Sequence, residues 1–123
     1  MHDQWTVATK LGHLAFWDRF VLGLLDRWQA GLPFRIDNEP WHDDAVNDAI
    51  LAETLALESA VAGRLAVDAA CSVDDWLTGL DPVSAARLEA DAANAETDAN
   101  WLVHRYRHRE EHLAEIEAFL AAR

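Results

Sequence analysis

The stretch from Thr6 to Ala30 constrains the fold more than any other. At about 100° per residue, Leu14, Trp17, Val21, Leu24, Leu25 and Trp28 gather into one broad arc, and Arg19, Asp26, Arg27 and Gln29 take the opposite side. An amphipathic helix of this length must lay a long apolar stripe against something. In a chain of 123 residues, enough for one core but not two, that partner is other helices of the same chain. Strands would need alternating β-branched runs, and the sequence has none. Gly and Pro occupy only eight positions, and the composition is Ala-rich. The expectation is an all-α fold in a single domain spanning residues 1–123.

Gly31-Leu-Pro33 stops the first helix. A connection over 31–42 follows, in which Trp41 is expected to close the end of the bundle and His42 to lie at the surface. Pro40 and the acidic residues around it suit a helix start near Asp44, because a first turn favours negative charge. Val46, Ile50, Leu57, Val61 and Leu65 lie on one mostly apolar side, and nothing from Ala45 to Thr78 stops the helix firmly. The pattern predicts one long helix to about Leu77, with Cys71-Ser72 as the place for a kink. Gly79-Leu-Asp81-Pro82 is a clear break, Val83 to Leu88 a short helix, and Glu89 to Asn100 a polar, Ala-rich run. A last helix is predicted over 98–121, its apolar side carrying Trp101, Leu102, Tyr106, Leu113, Ile116, Phe119 and Leu120. The predicted architecture is an up-down bundle of three long helices plus a short connecting helix.

A formal charge of −12 repels phosphate backbones and anionic lipid, which argues against nucleic-acid or membrane-surface partners. Cys71 is the only cysteine, so neither an intrachain disulfide nor a cysteine-rich zinc cluster can form. Its Ala-rich helical setting predicts a buried, inert thiol. No basic region precedes an apolar run at the N-terminus, and no segment approaches about 18 uninterrupted apolar residues. A cytoplasmic location is expected.

The chemistry concentrates near the end of the chain, in Tyr106-Arg-His108-Arg-Glu-Glu-His112. Histidines four apart on a helix lie one turn from each other on the same side, so both imidazoles can reach a single divalent ion. His112 falls within the apolar side of that helix, His108 at its margin, and His104 further towards solvent. A third ligand is needed, and His13, at the edge of the first helix's apolar arc, is the best candidate. Asp18 lies inside that arc, where a carboxylate must find a partner. Arg105 and Arg109 also fall towards the apolar side. Either they extend their charged ends outward, or they line a polar pocket beside the metal. Glu111 points about 100° away from its neighbours, towards the surface or a supporting place behind the ligands.

Three stretches together resemble the DinB/YfiT-like superfamily, which includes DfsB-type four-helix bundle proteins and thiol-dependent transferases. They are Trp5-Thr-Val followed by His13-Leu-Ala-Phe-Trp17-Asp18; Asn47 early in a long helix that continues through Ser72-Val-Asp-Asp-Trp-Leu; and Tyr106-x-His108-x-x-Glu111-His112-Leu-x-x-Ile116. The resemblance implies a three-histidine metal site holding nickel or zinc, with His13, His108 and His112 as ligands and water or substrate in the open positions. It further implies a low-molecular-weight thiol as cofactor and a small-molecule ligand, with Trp17, Asp18 and Tyr106 lining the pocket. Arg109 stands where the family commonly has an aromatic residue, which alters the pocket. The family usually has a further helix before the Trp-Ser-Val segment, so this chain reads as a short form whose open groove a homodimer would cover. Three functions stay open: a thiol- or water-activating transferase or hydrolase, a non-enzymatic helical interaction module, and a resistance protein that sequesters a small molecule.

Overall fold

The computed structural model describes residues 6–32, 40–94 and 105–123. Five helices, and no strands, occur among them: α1 (Val7–Gln29), α2 (Pro40–Thr54), α3 (Ser59–Thr78), α4 (Pro82–Ala93) and α5 (Arg105–Ala121). The all-α expectation holds. Trp5, Trp101, Leu102, His104 and the predicted start of the last helix lie outside the described residues, as do the side chains of Trp41 and His42.

Both ends of α1 are set by local chemistry. Thr6 is extended and its side chain accepts from Thr9 N at 3.1 Å, satisfying a first-turn donor. At the other end Gly31 adopts φ 87, and Gly31 N and Leu32 N donate to the carbonyls of Trp28 and Arg27. This is the Schellman arrangement, which needs one left-handed residue just beyond the helix.

α1 is the helix against which α3, α2 and α5 pack, α3 most extensively. Its C-terminal half supplies Val21, Leu25 and Trp28 to a core completed by Val73 of α3 and by Leu88 and Ala92 of α4. Nearer the N-terminus the contact is made of small residues, Ala15 against Ala66 and Ala69, so the two backbones approach closely. The buried tryptophans also find partners for their indole N–H groups. Trp28 donates to Asp91 at 2.7 Å and Trp17 to Asn47 at 3.0 Å.

Three features differ from expectation. The long helix predicted over 44–77 is two helices, separated at Leu55–Glu58. Thr54 turns its hydroxyl back onto the Ile50 carbonyl at 2.7 Å, Leu57 N donates to Thr54 O, and Glu58 is extended. The reason is one of length. An unbroken helix over that span would be about 50 Å long, against about 35 Å for α1, and would leave one end without a partner. Dividing it lets both halves pack on α1. Gly12 permits a close approach of α1 and α2, since a Cβ there would stand 2.5 Å from Thr54 Cγ2.

Within α3 the helix runs unbroken through Cys71 and Ser72, as expected of that stretch, and the Ser72 hydroxyl bonds the Asp68 carbonyl. Second, Cys71 is exposed, not buried. Ala62, Ala66, Ala69 and Val73 form the inward stripe of α3, and Cys71 lies two residues off that stripe. Third, the short helix after Pro82 extends to Ala93 because Glu89–Ala93 continue it, and Asp81 caps its start by accepting from Ser84 N at 2.8 Å.

Gly31 gives a direct test of the α1 stop. No atom lies within 4 Å of a Cβ built there, so Gly31→Ala changes only the backbone term. The expected cost is about 1–2 kcal/mol in urea denaturation, from the left-handed φ alone. An unchanged midpoint would show that the chain leaves α1 by another route.

Candidate metal centre

The N-terminal half of α1 and the first three turns of α5 face each other through polar side chains. On α5, Arg105, His108, Arg109 and His112 follow the i, i+3, i+4, i+7 spacing that usually carries leucines. On α1 they meet His13 and Asp18, both buried.

The three histidines converge through the same ring atom. His108 Nε2 stands 3.2 Å from His13 Nε2 and 2.9 Å from His112 Nε2. One ligand atom from each residue lies within 4.8 Å of the other two. Behind them Asp18 is clamped by two guanidinium groups. Arg105 Nε donates to its Oδ1 at 2.7 Å, and Arg109 donates to both oxygens at 3.2 Å. Arg109 also reaches Asp74 of α3 at 3.0 Å. Arg105 Nη2 lies 2.7 Å from His108 Nδ1. At the other side Lys10 of α1 pairs with Glu115 at 2.9 Å, and Glu115 stands 3.3 Å from His112 Nδ1.

Burial governs the protonation of this cluster. It pushes the His13 imidazole down to about 3, with His112, Lys10 and Arg105 adding to the effect. His108 is pushed down to about 2, by burial first and the Arg105 charge second. His112 is also lowered, by burial and then by Lys10, against the opposing pull of Glu115. At neutral pH all three rings are therefore uncharged, the state in which imidazole is a metal ligand.

A cavity of about 290 Å³ opens onto the three histidines. Trp17 and Asn47 form part of its wall, joined by their hydrogen bond, and Asp43 and Glu111 also line it. Of the residues expected around a pocket, Trp17 lines this cavity. Asp18 and Arg109 are engaged with each other behind the histidines. Tyr106 is 51% exposed, with the Arg107 guanidinium 5.8 Å from its ring centre. The ion pair between Asp18 and the two arginines was signalled in the sequence by three charges on apolar faces. Lys10–Glu115 had no such signal. Among the described residues no helix is long and apolar enough to cross a membrane. Compared with known proteins, the chain matches no family model, no curated protein and no solved structure.

The lowered imidazoles couple the centre to stability. In the unfolded chain each histidine titrates near 6.5, while the folded centre refuses the proton until far lower pH. The unfolded state therefore binds more protons below about pH 6.5, and stability falls as pH falls. Thermal melts of the metal-free protein should show a Tm that is level above about pH 7.5 and drops steadily towards pH 5. In the His108→Ala/His112→Ala variant the drop should be smaller. Equal slopes in both proteins would mean that these imidazoles are not held neutral by the fold.

Proposed function

We propose that this chain is a divalent-metal-binding protein of the DinB/YfiT-like kind, with His13, His108 and His112 as the ligands and a small molecule as the species it acts on. The observation that carries this reading is the convergence of three Nε2 atoms from two helices, with 95 residues separating His13 from His108. The donor set suits such an ion in charge and position: the rings are neutral, they share one focus, and a cavity leaves room for a further ligand. Imidazole ligands suit nickel or zinc. A bound ion of this kind supplies Lewis acidity and lowers the pKa of a water or thiol that it holds.

The chain's own residues supply orientation. Arg105, held by Asp18, fixes the ring plane of His108, and a Glu115 oxygen lies 3.3 Å from the outer nitrogen of His112. Trp17 and Asn47 give a fixed wall on which a small substrate can rest. On this reading the protein is a cytoplasmic transferase or hydrolase that activates water or a low-molecular-weight thiol. Binding without turnover would make it a sequestering protein.

Metal analysis of protein purified without a His tag tests the centre. About one ion per chain is expected for a three-histidine set, and the His108→Ala/His112→Ala variant should lose it while keeping its helical circular dichroism. Failure to take up either nickel or zinc would end the metalloprotein reading.

A second property is favoured by the outer face of α5, where Tyr106, Leu113, Phe119 and Leu120 are each between 43% and 51% exposed. Apolar side chains left in water along one helix favour self-association, and on this reading the protein is a homodimer. Light scattering should give twice the chain mass, and Leu113→Asp/Leu120→Asp should return the monomer. A monomeric parent protein would rule the homodimer out.

A further inference from the structure

The contact between Arg105 and His108 has a chemical consequence for the three-histidine cluster. A guanidinium carries donors only. With Arg105 Nη2 at 2.7 Å, His108 Nδ1 must therefore be the acceptor. A neutral imidazole that accepts at Nδ1 carries its single proton on Nε2. That proton points into the cluster, where His112 Nε2 and His13 Nε2 stand at 2.9 and 3.2 Å and can only accept it. His112 then bears its own proton on Nδ1, which lies 3.3 Å from a Glu115 oxygen without a hydrogen bond to it. The hydrogen-bonded chain has one direction: Arg105 donates to His108, and His108 to His112.

Arg105 is poorly placed to move aside. Its Nε is held by Asp18 at 2.7 Å, and both side chains are 1% exposed. An ion held where the three Nε2 atoms converge needs that nitrogen bare on each ring. His13 and His112 offer one in this arrangement, and His108 does not.

We infer that Arg105 is a positioning residue that locks His108 in the Nε2–H tautomer and thereby opposes capture of a metal ion by the three histidines. For His108 to join His13 and His112 as a ligand, its proton must pass from Nε2 to Nδ1 of the same ring, and Arg105 Nη2 must withdraw from Nδ1. No proton is gained or lost in this exchange. One charge-assisted hydrogen bond is given up, so the site loads against a bias built into α5. The tautomer assignment stands on the metal-free protein alone, and the bias rests on the metal-binding reading above.

Two measurements test the two halves separately. The first is a long-range ¹⁵N–¹H correlation spectrum of chelator-stripped, ¹⁵N-labelled protein at mildly alkaline pH, with His108→Ala to identify the His108 signals. The expected pattern is a protonated Nε2 and a bare Nδ1 for His108, with the reverse for His112. A protonated Nδ1 on His108 overturns the assignment.

The second measurement is zinc affinity by competition with a chromophoric chelator. It compares the parent with Arg105→Met and with Asp18→Asn/Arg105→Met, which removes both charges of that buried pair and guards against misfolding of the single variant. Loss of a charge-assisted hydrogen bond that zinc must otherwise break predicts binding at least about tenfold tighter. The His108 signals of the variant should also move towards the Nδ1–H pattern. Equal or weaker binding overturns the bias. If parent and variants alike ignore zinc, the bias falls together with the metal reading, and the spectrum still decides the tautomer.

Discussion

The carboxylate of Asp18, holding two guanidinium groups from another helix, is the interaction on which the arrangement of the centre depends. α5 buries only Arg105 and Ile116, too little apolar surface to dock a helix by hydrophobic contact alone. Its attachment to α1 is made instead by directional bonds: Asp18 to Arg105 and Arg109, Lys10 to Glu115, and His13 to His108. Buried charges are costly to leave unpaired, so each member of this set demands the others. An apolar seam tolerates sliding by a fraction of a turn. A seam of paired charges and hydrogen bonds holds one register, and that register brings His108 and His112 level with His13.

α1 thus divides its labour along its length. Its C-terminal half packs Val21, Leu25 and Trp28 against α3 and α4 in a dense apolar core. Its N-terminal half gives Lys10, His13 and Asp18 to the polar seam. The core supplies stability that the seam does not, and the seam supplies chemistry that a core cannot. Desolvation links the two, because the burial that keeps the imidazoles uncharged also makes the folded state sensitive to acid.

Local rules carried the sequence reading a long way. The start of α1 at Thr6, its stop at Gly31 and the break at Asp81-Pro82 follow from side-chain capping and left-handed backbone, which involve residues a few positions apart. The division between α2 and α3 was not legible, since Leu55-Ala-Leu-Glu58 are good helix formers. It arises from a mismatch in length with α1, which no local window contains. The exposure of Cys71 was not legible for a similar reason: a small residue in an Ala-rich helix has no strong side, and the inward face was chosen by Ala66, Ala69 and Val73 together. At the centre, the spacing of His108 and His112 and the placing of His13 near an apolar face were legible. The role of Arg105 was not, because an arginine on an apolar face looks the same whether it extends to solvent or ends on a buried carboxylate.

The sequence by itself determined that the chain is helical, where α1 begins and ends, and which residues could donate to a metal. Periodicity, capping and residue chemistry are short-range properties, and the order of residues states them directly. Tertiary structure alone decided that α2 and α3 are separate, that Cys71 faces water, and that Arg105 spans Asp18 and His108. The Arg105–Asp18 bond joins positions 87 residues apart. Which of its donors meets which acceptor depends on the register of two packed helices, a quantity that appears only once the core has set their distance and angle.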